Sequence, residues 1–213
     1  MYLPPHFRED RLDVQHALIE SRSLGMVITP GEGGMDANLI PFVLDRSASP
    51  LGTLRAHLAR ANSQWRGFTG EMEALVVFQD VDRYVSPSWY ASKREHGKVV
   101  PTWNFAMVQV WGRPRLMEAG GGLRRQLDDL THLHESAHSH PWKVDDAPED
   151  FIAAQMKGIV GIELVIDRIE GKWKVSQNRP EADRAGVEAA LRAEGSEASL
   201  TMAEMVRAKG PLG

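Results

Sequence analysis

Stretches that alternate apolar and polar residues recur through the middle and later chain, and they lack the regular interleaving with helices that a parallel sheet requires. Gly52 to Leu58 sets Leu54, Ala56 and Leu58 against Thr53, Arg55 and His57. Thr102 to Met117 offers Phe105, Met107 or Val108, Val110 and Leu116 to a core, with Gly112 and Pro114 marking a bulge or bend. Leu24 to Thr29 and Ala37 to Leu44 flank the turn cluster Pro30-Gly31-Glu32-Gly33-Gly34, which predicts a hairpin. Glu73 to Phe78 reads as a buried strand and Tyr84-Val85 as a further short one. Ile159 to Ser176 reads as a strand that Glu170-Gly171-Lys172 turns into a final one. Helical spacing appears in Asp10 to Ser21, Leu123 to His138, Pro148 to Met156, Pro180 to Arg192 and Leu200 to Arg207, and Lys209 to Gly213 is expected to be disordered. The pattern predicts an α+β fold built on an antiparallel barrel or strongly curled sheet.

The 213 residues are enough to bury a core without covalent staples. Residues 1–193 are expected to form one domain, with a C-terminal helix or flexible tail over 194–213. The chain has no cysteine, which excludes disulfides, thiolate zinc sites and cysteine nucleophiles. MYLPPHFREDRLD is unlike a secretory signal, and apolar runs such as Ala74 to Phe78 fall far short of the roughly 20 residues that span a bilayer. A cytoplasmic, non-membrane protein is therefore expected. A net charge of −4 provides no general attraction for nucleic acid, so DNA is a partner that the charge does not support.

Chemistry concentrates in Val85 to Asn104, VSPSWYASKREHGKVVPTWN. Pro87 and Pro101 fix φ and extend the residue before them, so the segment reads as a shaped loop between strands. Trp89, Tyr90, Lys93, Lys98, Thr102, Trp103 and Asn104 place flat apolar faces beside hydrogen-bond donors, suited to an anion or a heteroaromatic ring. Lys172 to Asn178, KWKVSQN, repeats that chemistry through Lys174, Gln177 and Asn178. Arg55 and His57 share one polar strand face, and Ala61-Asn62-Ser63-Gln64-Trp65 follows with further donors and an aromatic. Each is also compatible with plain surface decoration; together they suggest a bound aromatic phosphate.

His134-Glu135-Ser136-Ala137-His138 matches the H-E-x-x-H pattern of zinc hydrolases. A third ligand is not evident, and Pro141 ends the helix soon after the second histidine, so no metal site is expected there. Gly31, Gly33 and Gly34 lack the Lys-Ser/Thr of a phosphate loop, and no serine-nucleophile pattern occurs. No catalytic acid or base is identifiable.

Taken in order, MYLPPHF, Asp36-Ala37-Asn38, GTLRAHLARANSQW, VSPSWYASKREHGKVVPTWNF, PWKVDDAP, IVGIEL and EGKWKVSQNRPEADRAGV resemble the FMN-binding negative transcriptional regulators of the PaiB type, in the flavin-binding split-barrel superfamily. The resemblance implies an antiparallel split β-barrel with peripheral helices, a homodimer with FMN in clefts at its interface, and a repressor's role. It implies FMN contacts drawn from Arg55, His57, Ala61, Asn62, Lys98, Thr102, Asn104, Lys174, Gln177 and Asn178. Arg55, Lys98 and Lys174 are the cations available to the phosphate. No basic recognition helix is found, so repression is expected to be direct only if charge is overcome, and otherwise indirect. A flavin-dependent oxidoreductase using NAD(P)H is the alternative, and a haem protein a third.

Overall fold

The hairpin expected around the glycine cluster is the entry to the sheet. In the computed structural model, which describes residues 1–31, 33–117 and 121–211, β2 (Leu24–Gly31) and β3 (Gly34–Asp45) pair antiparallel from Leu24 against Pro41 to Gly31 against Gly34. Gly34 has φ of 126°, a conformation that side chains strain to adopt, which accounts for glycine at the end of this turn. Glu32 lies outside the described residues.

By contact density the chain forms two units, residues 19–78 with 109–169 and residues 1–18 with 79–108 and 170–213. Three strands run through both: β5 (Ala74–Val85), β6 (Thr102–Gly112) and β8 (Ile159–Lys174). With β1 (Arg8–Glu9), β4 (Thr53–Ala59) and β7 (Arg115–Leu116) they complete an eight-stranded sheet, in which β1–β8, β2–β3, β2–β5, β3–β4, β4–β8 and β7–β8 pair antiparallel.

In the 19–78/109–169 unit, β4 lies between β3 (Phe42 opposite Ala56) and β8 (Leu54 opposite Leu164), and β2 also pairs β5 (Met26 opposite Val77). Alternate residues of these strands, including Val27, Phe42, Leu54, Val76 and Ile162, are buried as period-two patterning requires. Phe42 and Phe78 meet edge to face with centroids 5.8 Å apart. Helices α3 (Gly121–Glu135) and α4 (Glu149–Lys157) follow β7.

In the other unit, β1 pairs the end of β8, Arg8 opposite Lys172 and Glu9 opposite Gly171. Short α2 (Ser92–His96) sits in the loop between β5 and β6. The C-terminal helices α5 (Glu181–Glu194) and α6 (Glu197–Ala208) bury Val187 and Leu191 on the first and Met202, Ala203, Met205 and Val206 on the second. Helix α1 (Leu12–Ser21) spans the boundary between the units. Among the described residues no helix is long and apolar enough to cross a membrane.

Some boundaries differ from expectation. Glu170-Gly171-Lys172 makes no turn: the strand continues because Gly171 is buried in register with Glu9, where a Cβ would stand 2.8 Å from the Glu9 carbonyl oxygen. Tyr84-Val85 is the end of β5 and not a separate strand. The final helix starts at Glu197, capped by Ser196, whose hydroxyl accepts the Ser199 N–H at 3.1 Å. Lys209 and Gly210 close it with backbone bonds to Val206 and Met205, so they are ordered and not part of a loose tail. Leu212 and Gly213 lie outside the described residues.

Candidate functional site

Strand β8 delivers Lys172 and Lys174 to one face and then stops. Ser176, at φ 63°, turns the chain, and Arg179 donates its N–H back to the Ser176 carbonyl at 2.9 Å. On β6, Thr102 and Asn104 lie alongside. Asn104 is 1% exposed; its Nδ2 donates to Ser176 Oγ at 3.0 Å, and that hydroxyl is 3.2 Å from Asn104 Oδ1. This buried pair fixes the floor of a cavity of about 170 Å³, whose walls are Phe7, Thr102, Lys174, Asn178 and Arg179.

The electrostatics of the cavity are one-sided. Lys174 Nζ donates to Thr102 Oγ1 at 2.5 Å and to the Trp103 carbonyl, and it stands 5.9 Å from the Phe7 ring centre. Burial pushes its ammonium below the ordinary lysine range, and the charges of Lys172 and Arg179 push the same way. Lys172 is lowered by burial too; its Nζ donates to the Tyr2 carbonyl at 2.8 Å and lies 5.4 Å from the Phe105 ring centre. Arg179 lies over the buried Tyr90 ring at 4.7 Å, so the guanidinium meets the ring face. Among the described residues no carboxylate forms an ion pair with Lys172, Lys174 or Arg179. A bound anion would relieve this repulsion.

The expected site residues thus fall into two groups. Thr102, Asn104, Lys174 and Asn178 share the cavity. Gln177 is beside them in sequence but folds onto its own strand, accepting the Val175 N–H at 2.8 Å and donating to the Trp173 carbonyl. Lys98 is exposed after α2, its backbone N–H donating to His96 Nδ1. Arg55, His57, Ala61 and Asn62 belong to the other unit. There Arg55 is bound by Asp45 at 2.7 Å and approached by Glu163 at 3.8 Å, and the Ser47 hydroxyl, with Arg55, holds the Asp45 carboxyl below its usual range. His57 Nδ1 meets Gln126 Oε1 at 2.8 Å, Asn62 caps the 3₁₀ turn Ser63–Gly67, and Ala61 is exposed. Within that unit a second, polar cavity of about 500 Å³ lies between the β2–β3 turn and this 3₁₀ turn, lined by Asp36, Ser63, Gln64 and Arg66 among others.

The contacts expected from sequence do not include Phe7, Ser176 and Arg179. The last two lie within or beside the polar run that was singled out, so their chemistry was visible; Phe7 stands in MYLPPHF, a block of the resemblance, but nothing in that block marks it as a cavity wall. Of the aromatic loop, Trp103 is 54% exposed and packs edge to face with Tyr84, centroids 5.9 Å apart. His134 Nε2 lies 3.3 Å from Ser23 Oγ, and Glu135 accepts the Trp142 N–H at 3.0 Å.

An antiparallel α+β sheet of this arrangement is the flavin-binding split barrel. Solved structures with the same fold include the conserved hypothetical protein Rv2991 from Mycobacterium tuberculosis (TM-score 0.59, 12% identity, covering 85% of this chain and 95% of that one). Another is the flavocytochrome Anf3 from Azotobacter vinelandii (TM-score 0.52, 15% identity, 78% and 69%). The family model described as "Putative FMN-binding domain" matches residues 1–168, and the chain belongs to that family; FMN is its cofactor. An uncharacterized protein of Emericella nidulans, AN0679, is 32% identical over 247 residues, covering 100% of this chain and 98% of its own. "Protease synthase and sporulation protein PAI 2" of Bacillus subtilis is 30% identical over 209 residues, covering 98% of each.

The cationic cavity fits one part of FMN. Its unpaired cations and the Thr102 and Ser176 hydroxyls suit a phosphate dianion, and its volume suits the phosphate end but not a three-ring system. Lys174, Ser176 and Arg179 lie beyond the residues matched by the family model, within the span covered by the full-length relatives.

Proposed function

We propose that this protein is an FMN-binding regulator of the PAI 2 type, a negative regulator of transcription that works in the cytoplasm as a homodimer. The observation that carries the flavin site is the cluster of Lys172, Lys174 and Arg179 beside the Asn104–Ser176 pair, none of the three cations being ion-paired among the described residues. Lys174 and Arg179 hold the phosphate, Thr102 and Asn178 bond its oxygens or the adjoining chain, and the exposed Tyr84–Trp103 pair offers an aromatic face. When bound, FMN supplies an electron-accepting ring, so its occupancy or redox state is available as the regulatory signal. The regulatory reading is supported by 30% identity over 98% of both chains to a protein named for sporulation and protease synthesis.

Dimerisation is supported by one face of the β2–β3 hairpin. Cross-strand pairs Leu24–Pro41, Met26–Leu39, Ile28–Ala37 and Pro30–Met35 stand on a single side, and Leu24, Met26, Met35 and Leu39 are 55, 40, 67 and 59% exposed. An apolar sheet face of this kind is rare on a monomer and suits a self-complementary, two-fold contact. With a net charge of −4, regulation runs through a partner or the flavin more readily than through autonomous DNA binding.

Deleting the gene in its host and recording transcripts tests this. Deregulated transcripts that the wild-type gene restores and Lys174→Met does not are the expected result. Unchanged transcripts, together with steady NADH or NADPH oxidation by the FMN-loaded protein, would assign it as a flavin oxidoreductase instead.

A further inference from the structure

We propose that the 19–78/109–169 unit carries a second small-molecule site, bounded by α3, α4 and the β4 face bearing His57, which takes a neutral aromatic ring with a hydrogen-bond donor, of the phenol or indole class. The cavity measures about 260 Å³, and its walls are chiefly apolar: Leu127, Trp142, Val144, Ile152, Met156 and Ile159. It is a cleft open to solvent on the side of Trp142, which is 44% exposed, and its volume exceeds the roughly 150 Å³ that admits benzene, so it has room for a substituted or fused ring.

Polarity enters through His57, which lines the same cavity. Its Nδ1 is 2.8 Å from Gln126 Oε1. Gln126 Oε1 can only accept, so Nδ1 is the donor of this contact and Nε2 is the ring nitrogen left for a ligand; a ligand O–H or N–H is the partner that would complement it. The anchoring amide supports a functional reading. Gln126 is 1% exposed, and among the described residues its Nε2 has no hydrogen-bond partner. A buried, unpaired N–H opposes folding, and an apolar side chain would serve a merely structural helix better. What the amide contributes is the orientation of His57.

Charge around the site is nearly balanced and does not recruit acids. An adjoining cavity of about 480 Å³ shares Thr131, Trp142 and Val144 with this one and is rimmed by Asp128, Glu135 and Asp145, facing Lys143 and His132. Arg124 is already paired with Asp128 and Asp145. With those two carboxylates paired and Lys143 on the same rim as Glu135, the rim gives an anionic ligand no net attraction, and selection rests on the hydrogen bond to His57.

The test titrates the full chain, labelled with ¹⁵N-histidine, with phenol, indole, benzoate and toluene while following the ring nitrogens by NMR; His57→Gln assigns the signal. Phenol and indole are expected to bind saturably and shift His57 Nε2, with benzoate and toluene at least about tenfold weaker. Met156→Trp fills the cavity from a half-buried edge and Ile152→Trp from a buried wall; each is expected to weaken phenol at least about tenfold while the chain stays folded by thermal melting. Should Ile152→Trp unfold, the folded Met156→Trp protein decides. No saturable phenol binding, benzoate binding as tightly as phenol, or undiminished phenol binding in folded Met156→Trp would each overturn the proposal.

Discussion

Lys174 is a cation held where charge is costly, and the sign of that cost is testable. Its folded-state pKa is below the ordinary lysine value because of burial first and of Lys172 and Arg179 next. The penalty is therefore fully present below the lowered value and lifts as pH rises through it toward that of the unfolded chain. Without FMN, stability should rise on the alkaline side, and Lys174→Met should remove that rise in thermal melts taken across pH. FMN affinity should move oppositely, falling as Lys174 loses its proton. At the cavity floor, Asn104→Ala leaves Ser176 Oγ without its partner and should cost about 1–3 kcal/mol by denaturant titration. An unchanged midpoint would mean that the pair is dispensable. These residues were legible in sequence because amides and cations sat where a strand alone would not need them. Arg55 shows the limit of such reading: a cation on a strand face looks available until Asp45 and Glu163, distant in sequence, are placed beside it.

Elements were easier to read than their ends. Period-two alternation located β4 and β6, and helical spacing located α3, α4 and α5, because burial of one face imposes those periods. The continuity of β8 through Gly171 was not legible, since it depends on pairing with Glu9 at the far end of the chain. Gly186 poses the same problem within α5. Alanine is ordinarily the better helix former by about 1 kcal/mol, yet a Cβ here would lie 2.0 Å from the Trp89 carbonyl oxygen. Gly186→Ala should therefore destabilise by about 1–3 kcal/mol, lowering Tm by several degrees. A raised Tm would show that α5 does not approach the Pro87–Trp89 turn so closely.

For the whole molecule, the class of fold was readable from its strands, whereas self-association was implied only by resemblance. In our proposal the exposed face of the β2–β3 hairpin is the contact surface. A Met26→Lys, Leu39→Lys double variant should remain folded and sediment as a monomer where the wild type sediments as a dimer; a monomeric wild type, or a variant that stays dimeric, would remove this face from the interface. The flavin site is tested most directly by titrating FMN into the wild type and Lys174→Met, reading absorbance and flavin fluorescence. Saturation near one FMN per chain, with affinity about 10- to 100-fold lower in a folded Lys174→Met protein, is the predicted result. Equal affinity in the two proteins would contradict the placement of the phosphate beside Lys174.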